Sequence, residues 1–223
     1  MKVLSFQSQK PDCILFLQGM KPDVELCSFF PDTWIIATDG AASDLLAIGI
    51  TPHFVIGDMD SFDPATVSDD VCKVIIDENQ EINDFEKALI FVLERNMSHV
   101  MIWGMHGGDF EHSLNNTSVL WKYVGQFTQL TIVDSMQRFA VPVFFDMICN
   151  EVNPDEIISL IPFPHARLST NGLKWELEEE VLELSIREGA RNRAISSSLS
   201  IKLHEGRLLF FCDTRFPNIP IFT

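Results

Sequence analysis

Six short apolar runs, at residues 13–17, 34–38, 54–56, 74–76, 100–103 and 130–133, constrain this chain more than any other feature of its sequence. None is long enough to make a helix. Continuous apolar runs of this length are strands buried on both faces. Helical patterns fill several of the gaps. Phe85, Ala88, Leu89, Val92 and Leu93 recur at helical spacing. Asn83 stands where an N-cap would, with Glu86 three residues on in capping-box spacing. Leu114, Ser118, Trp121 and Val124 outline a second helix. Strand and helix in alternation predict a mostly parallel sheet with helices on its faces.

The pattern changes after about residue 140. Short β-like segments follow at 157–162, 172–176, 182–186, 195–203 and 207–211, and His204-Glu205-Gly206 reads as a hairpin turn. The expected fold class is therefore α/β, a mostly parallel N-terminal sheet domain over residues 1–140 followed by a small C-terminal all-β sandwich domain over 141–223. The boundary is soft, near 138–146. A chain of 223 residues accommodates that division without disulfide or metal staples.

Composition removes several classes of function. Lysine and arginine number 16 against 32 acids, so a nucleic-acid partner, which needs clustered basic side chains, is not expected. Five cysteines without a CxxC pair read as reduced thiols, with no zinc site or disulfide frame. No 18-residue apolar run predicts a membrane span. The first residues lack the apolar core and cleavage site of a signal peptide, so the expected location is cytoplasmic. The excess charge is uneven. Residues 1–112 hold 19 acids and 6 bases, which directs attention to the carboxylates of the first domain.

Chemistry gathers at the strand ends. The P-loop, GxGxxG, HExxH and GxSxG signatures are missing, so phosphate chemistry would use another device. In Gly57-Asp58-Met59-Asp60-Ser61 a buried strand ends and two carboxylates follow two residues apart. Ligands of open α/β sheets bind past the carboxyl ends of strands, and hard oxygen ligands there suit Mg²⁺. The plain alternative is a solvated turn, since Asp and Ser favour turns. The design recurs upstream at Asp39-Gly40 and downstream at Asp84, in the first turn of the next helix, where a carboxylate also compensates the helix dipole. Three such ends in succession favour a shared metal site. Next, Gly104-Met105-His106-Gly107-Gly108, followed by a helix carrying His112 and Asn116, has the layout that presents backbone N–H groups to phosphate.

These residues resemble the thiamine pyrophosphokinase family. The resemblance rests on Asp39-Gly40-Ala41, then Leu46, Gly49, Pro52 and the Gly57–Ser61 motif, then Gln80 with Asp84 and Lys87, then the spacing of Gly107-Gly108, His112 and Asn116. It continues through Leu160-Ile161-Pro162-Phe163, Gly172-Leu173-Lys174-Trp175 and Gly189-Ala190-Arg191-Asn192, in family order from about residue 34 to 211. It implies transfer of pyrophosphate from ATP to the hydroxyl of thiamine, giving thiamine diphosphate and AMP. It also implies a homodimer with thiamine sites at the subunit interface. By motif, Asp58, Asp60 and Asp84 would ligate Mg²⁺, and Asp39 and Gln80 would lie beside the reacting groups. Asp39 and Asp60 are the candidate general bases. Lys87, Gly107, Gly108, His112, Asn116, Arg191 and Asn192 join the substrate-binding set, and Trp175 would pack on the thiamine rings. The alternative for Trp175 is an ordinary core position.

The family's usual GGRxDH loop reads here Gly107-Gly108-Asp109-Phe110-Glu111-His112, so an arginine has become Asp109 and an aspartate Glu111. The usual GxSN reads Gly189-Ala190-Arg191-Asn192, and Arg191 either points away from the ring site or reaches phosphate. Two rival functions follow from these departures. One is a pyrophosphokinase for another hydroxymethyl heterocycle, such as a pterin. The other is a silent nucleotide or thiamine binder.

Overall fold

The structure, a computed structural model, describes every residue except Pro22. It divides into two compact units. One is Lys10–Met136, and the other joins Met1–Gln9 to Gln137–Thr223.

The first strand, β1 (Lys2–Gln7), belongs to the second unit. The α/β unit then runs β2 (Cys13–Phe16), β3 (Trp34–Thr38), α1 (Asp39–Ala47), β4 (Phe54–Gly57), β5 (Lys73–Ile76), α2 (Asp84–Glu94), β6 (His99–Trp103), α3 (Phe110–Tyr123) and β7 (Gln129–Val133). Its strands lie in the order β5-β4-β3-β2-β6-β7, every adjacent pair parallel. The chain builds outward from β2 to one edge and then crosses back to build the other. Ligands of such sheets bind where the strand order reverses.

β2, β6 and β7 are buried at every position, as near-continuous apolar strands must be. β5, at the edge, is only half-buried. The packing of α2 follows the spacing in its sequence: Phe85, Ala88, Leu89 and Val92 are buried. Each large apolar side chain buried this way contributes about 1.5–3 kcal/mol. The Asn83 side chain accepts the Glu86 N–H at 2.9 Å, a cap whose loss costs about 1 kcal/mol.

The β unit continues with β8 (Arg138–Val143), β9 (Met147–Cys149), β10 (Ile157–Asn171), β11 (Glu180–Glu183), β12 (Gly189–Arg193), β13 (Leu199–Asp213) and β14 (Ile219–Phe222). β10 and β13 pair along most of their length. Each also changes its other neighbour on the way: β13 takes β9 and then β8, and β10 takes β12 and then β11. Bulged strands that switch partners turn the corners of a sandwich.

The structure corrects the reading of 204–206 as a hairpin turn. Arg167 pairs with Glu205 and Leu168 with Leu203, which leaves His204 as the extra residue of a bulge inside one strand. Gly206 allows it, with φ of 80° and a position where a Cβ would lie 2.1 Å from the His165 carbonyl oxygen. The 172–176 and 182–186 segments are likewise displaced: strands form at β11 and β12 instead.

β1 is hydrogen-bonded between β14, antiparallel, and β9, parallel. Sequence order alone would leave it with the domain expected over 1–140. Among the described residues, no helix is long and apolar enough to cross a membrane.

Candidate active site

A cavity of about 410 Å³ opens at the carboxyl ends of the parallel strands. Every strand of the α/β sheet except β7 delivers residues to its wall, either directly or through the connection that follows: Gln18 and Gly19 after β2, Thr38 and Asp39 at the β3–α1 junction, and Asp58 after β4. Gln80, Asp84 and Lys87 come from the β5–α2 connection and α2. Gly104, Gly107, Gly108 and Asp109 follow β6, and His112 and Asn116 lie on α3.

Asp39 organises the floor. It opens α1 and is 3% exposed. Its Oδ1 accepts the Gly40 N–H at 2.6 Å, and its Oδ2 accepts the Ser61 N–H at 3.4 Å, tying the end of β3 to the loop after β4. Gly57 permits the approach, because a Cβ there would lie 2.8 Å from Asp39 Cγ. Beyond it the chain turns at Met59, whose φ of 66° is uncommon for a residue with a side chain. Asp58 Oδ1 accepts the Asp60 N–H at 3.3 Å, Asp58 Oδ2 accepts from Gln80 Nε2 at 2.7 Å, and Ser61 Oγ donates to Asp60 Oδ1 at 2.8 Å.

The turn brings one carboxylate oxygen each from Asp39, Asp58 and Asp60 within 4.8 Å of one another. Burial, and then the neighbouring Asp84 charge, push the Asp39 carboxyl up to about 6, while the Gly40 and Ser61 N–H groups pull it down. The Gln80 amide and then the Asp60 N–H hold Asp58 below the ordinary carboxylate range. The sequence reading placed Asp84 with Asp58 and Asp60 as ligands. The structure gathers Asp39 into that trio. Asp84 stands beside Asp39 but is paired with Lys87 at 3.0 Å, and the Lys87 side chain is 3% exposed. Three oxygen donors with no thiolate or imidazole among them fit Mg²⁺ by hardness, and their crowded negative charge favours a divalent cation.

The glycine loop forms the opposite wall. Gly107 and Gly108 take φ of 103° and 67°, and a Cβ on Gly107 would lie 2.8 Å from the Met20 nitrogen. Asp109 is the N-cap residue of α3 but makes no side-chain cap, so its carboxylate is left to the cavity. Asn116 ties the wall together: its Oδ1 accepts from Asn83 Nδ2 at 3.1 Å and its Nδ2 donates to the Met105 carbonyl at 3.2 Å.

Nine residues named from the sequence therefore share this cavity: Asp39, Asp58, Gln80, Asp84, Lys87, Gly107, Gly108, His112 and Asn116. Asp60 joins through the carboxylate trio. Sequence reasoning missed Gln18, Gly19 and Thr38 as lining residues. The signal was available for the first two, since they directly follow the apolar run at 13–17 and the strand-end rule applied there as well.

The other named residues lie in the β unit. A smaller hollow of about 190 Å³ is lined by Trp175, Leu177, Leu182, Ala190 and Asn192 among others. Trp175 is 56% exposed and so is not a core tryptophan. Buried Asn192 clamps its backbone: Oδ1 accepts the Trp175 N–H at 3.1 Å and Nδ2 donates to the Trp175 carbonyl at 2.7 Å. Arg191 is exposed, with φ of 57° and its N–H donated to Ser159 Oγ at 3.0 Å.

Comparison with known families finds the thiamin pyrophosphokinase catalytic domain over residues 30–133 and the thiamin pyrophosphokinase vitamin B1 binding domain over residues 147–208. The chain belongs to the thiamin pyrophosphokinase family. Its function is that family's, and the enzyme class is a pyrophosphate-transferring kinase that uses ATP. Thiamin pyrophosphokinase 1 of Caenorhabditis elegans is 26% identical over 180 residues, 75% of this chain and 74% of the relative. Thiamine pyrophosphokinase of Bacillus subtilis is 26% identical over 191 residues, 80% and 86% of the two chains. The crystal structure of thiamine pyrophosphokinase from Bacillus subtilis superposes with a TM-score of 0.75 at 22% identity, covering 92% of this chain and all of that one. Thiamin pyrophosphokinase from Candida albicans gives 0.76 at 13% identity, covering 95% and 99%. At these identities the two structures establish the shared fold.

Proposed function

We propose that the chain transfers pyrophosphate from ATP to the hydroxyl of thiamine as a Mg²⁺-dependent enzyme, with the roles of individual residues as follows. The observation that carries the reading is the trio of Asp39, Asp58 and Asp60 beside a glycine loop in one strand-end cavity. Asp58 and Asp60, with Asp39, would hold Mg²⁺, and Asp84 would add its charge from beside Asp39. When bound, Mg²⁺ supplies positive charge to the ATP polyphosphate and lowers the cost of charge developing as AMP leaves.

The chain's own groups do the rest. The backbone N–H of Gly108, at the positive end of α3, would favour phosphate oxygens, while the Gly107 N–H is donated to Ser113 Oγ at 3.2 Å and braces the loop. Lys87 is fixed by Asp84 and offers a positive field without free rotation. His112 and Asn116 orient the nucleotide from α3. Gln80, through its bond to Asp58, holds that carboxylate in its ligating rotamer. Asp39 and Asp60, through a carboxylate oxygen not on the metal, are the candidate general bases for the thiamine hydroxyl. Trp175, stiffened by Asn192, would pack against the thiamine rings, and exposed Arg191 would reach phosphate. The catalytic form is a homodimer in which thiamine sites lie between subunits. Exposed Val181, Leu184 and Ile186 near the Trp175 hollow support association of that unit. Five free cysteines, four of them buried, accord with a reducing cytoplasm.

The test is an assay for AMP and thiamine diphosphate from ATP, Mg²⁺ and thiamine. Equal formation of both products is expected. Binding of both substrates without AMP would leave only the silent-binder reading, and a pterin alcohol outcompeting thiamine as acceptor would change the substrate.

A further inference from the structure

Lys174 immediately precedes Trp175, and its ammonium sits 4.9 Å from the centre of the Trp175 ring. The backbone fixes this arrangement. The Lys174 N–H donates to the Arg193 carbonyl at 2.8 Å, and Asn192 holds Trp175 on both sides of its peptide unit. The carboxylate nearest in sequence is already engaged. Glu176 Oε1 accepts from the Gly172 and Leu173 N–H groups, and Oε2 accepts from the Thr170 hydroxyl. The Lys174 charge is left to the indole face.

We infer that Lys174 is a specificity-determining residue whose ammonium competes with a cationic acceptor for the Trp175 ring. This rests on the reading of Trp175 as the platform for thiamine, whose thiazolium ring is a permanent cation. An acceptor entering on the face that carries the ammonium must displace it. An acceptor entering on the opposite face meets a ring whose negative potential is already drawn toward Lys174. Both routes weaken the hold on a cation, whereas a neutral ring of the same shape escapes the repulsion and is at most subject to the displacement, so its hold is weakened less. The advantage is release, since a site that stacks a cation without opposition retains it.

The experiment is calorimetric titration of the full-length protein with thiamine and with 3-deazathiamine, its neutral isostere, without ATP. Lys174→Met keeps most of the side-chain volume and removes the charge, and Lys174→Arg restores a cation. Thiamine should bind Lys174→Met about two- to fivefold more tightly than the unaltered protein, the inverse of an exposed cation–π contact. Lys174→Arg should bind it as the unaltered protein does, and the neutral isostere should gain less than thiamine from Lys174→Met. Equal tightening for both ligands would show a packing effect and overturn the inference. Unchanged or weaker thiamine binding in Lys174→Met would overturn it as well. Trp175→Ala separates the two levels of argument. If that variant binds thiamine normally, the platform reading itself fails. If it binds weakly while Lys174→Met gains nothing, only the competition fails.

Discussion

The two candidate sites of this chain are built on opposite principles. The cavity of the α/β unit is large and charged, and its residues come from the ends of five separate strands or the connections after them. Its central carboxylate is buried and fixed by two backbone N–H groups. The hollow of the β unit is less than half as large and partly apolar, and its key side chain stands 56% exposed. The difference follows from what each must hold. A polyphosphate and a divalent cation need charges fixed in advance, because any reorientation would cost electrostatic energy during reaction. An aromatic cation needs a flat surface stiffened from behind, which Asn192 supplies by clamping a backbone instead of a side chain.

The largest expected effect breaks the first site alone. Asp58→Asn or Asp60→Asn should lower the rate of AMP formation by at least about a hundredfold, with circular dichroism unchanged. Normal turnover at limiting Mg²⁺ would remove these residues from the metal. The second effect breaks the other site alone. Trp175→Ala should weaken thiamine binding by roughly five- to a hundredfold, the usual range for an aromatic stacking platform, while ATP titrates normally. Equal loss for both ligands would mean the tryptophan supports the fold.

A third experiment asks whether the two sites cooperate across chains. Asp58→Asn and Trp175→Ala chains, each poorly active, are mixed under conditions of subunit exchange. If thiamine sites are shared between subunits, one site of each mixed dimer collects both defects and the other neither. About a quarter of full activity should then return. A mixed dimer with no rescue would show that each chain completes its own site.

The smallest effect is on stability and sharpens the electrostatic contrast. Asp39 titrates near 6 in the folded protein and near 3.8 when unfolded. Folding therefore favours its protonated form, and the corresponding stability is present below pH 3.8 and lost as pH rises through 6. Asp39→Asn should accordingly raise the melting temperature of the metal-free protein by a few degrees at pH 7.5 and change it little at pH 3.5. An unchanged melting temperature at both pH values would show that the buried charge is compensated elsewhere.

Much of the first site was legible because its logic is local. Apolar runs mark the strands, Asp39 and Asp58 follow two of them within two residues, and Asp84 opens the helix after a third, so an edge shared by carboxylates could be read without coordinates. Membership of the trio could not. Asp39 rather than Asp84 joins Asp58 because Gly57 lets two strand ends pass within contact of the Asp39 side chain, while Lys87 claims Asp84. The β unit was less legible for a related reason. Its 15-residue strands β10 and β13 carry bulges at prolines and glycines, residues that in sequence mark turns. Only their long-range pairing shows that the strand continues through them.

The pairing of β1 has a consequence for the way this chain is made. As the polypeptide leaves the ribosome, residues 2–7 emerge before the α/β unit, yet their neighbours β9 and β14 are synthesised after it. The six parallel strands β2 to β7 pair with one another within Lys10–Met136 and can assemble during translation. The β unit cannot close until residues 219–222 have cleared the exit tunnel, and until then the apolar side chains of Leu4 and Phe6, buried in the finished protein, remain uncovered. The interval between those two events is when a nascent chain of this design has most to gain from a chaperone.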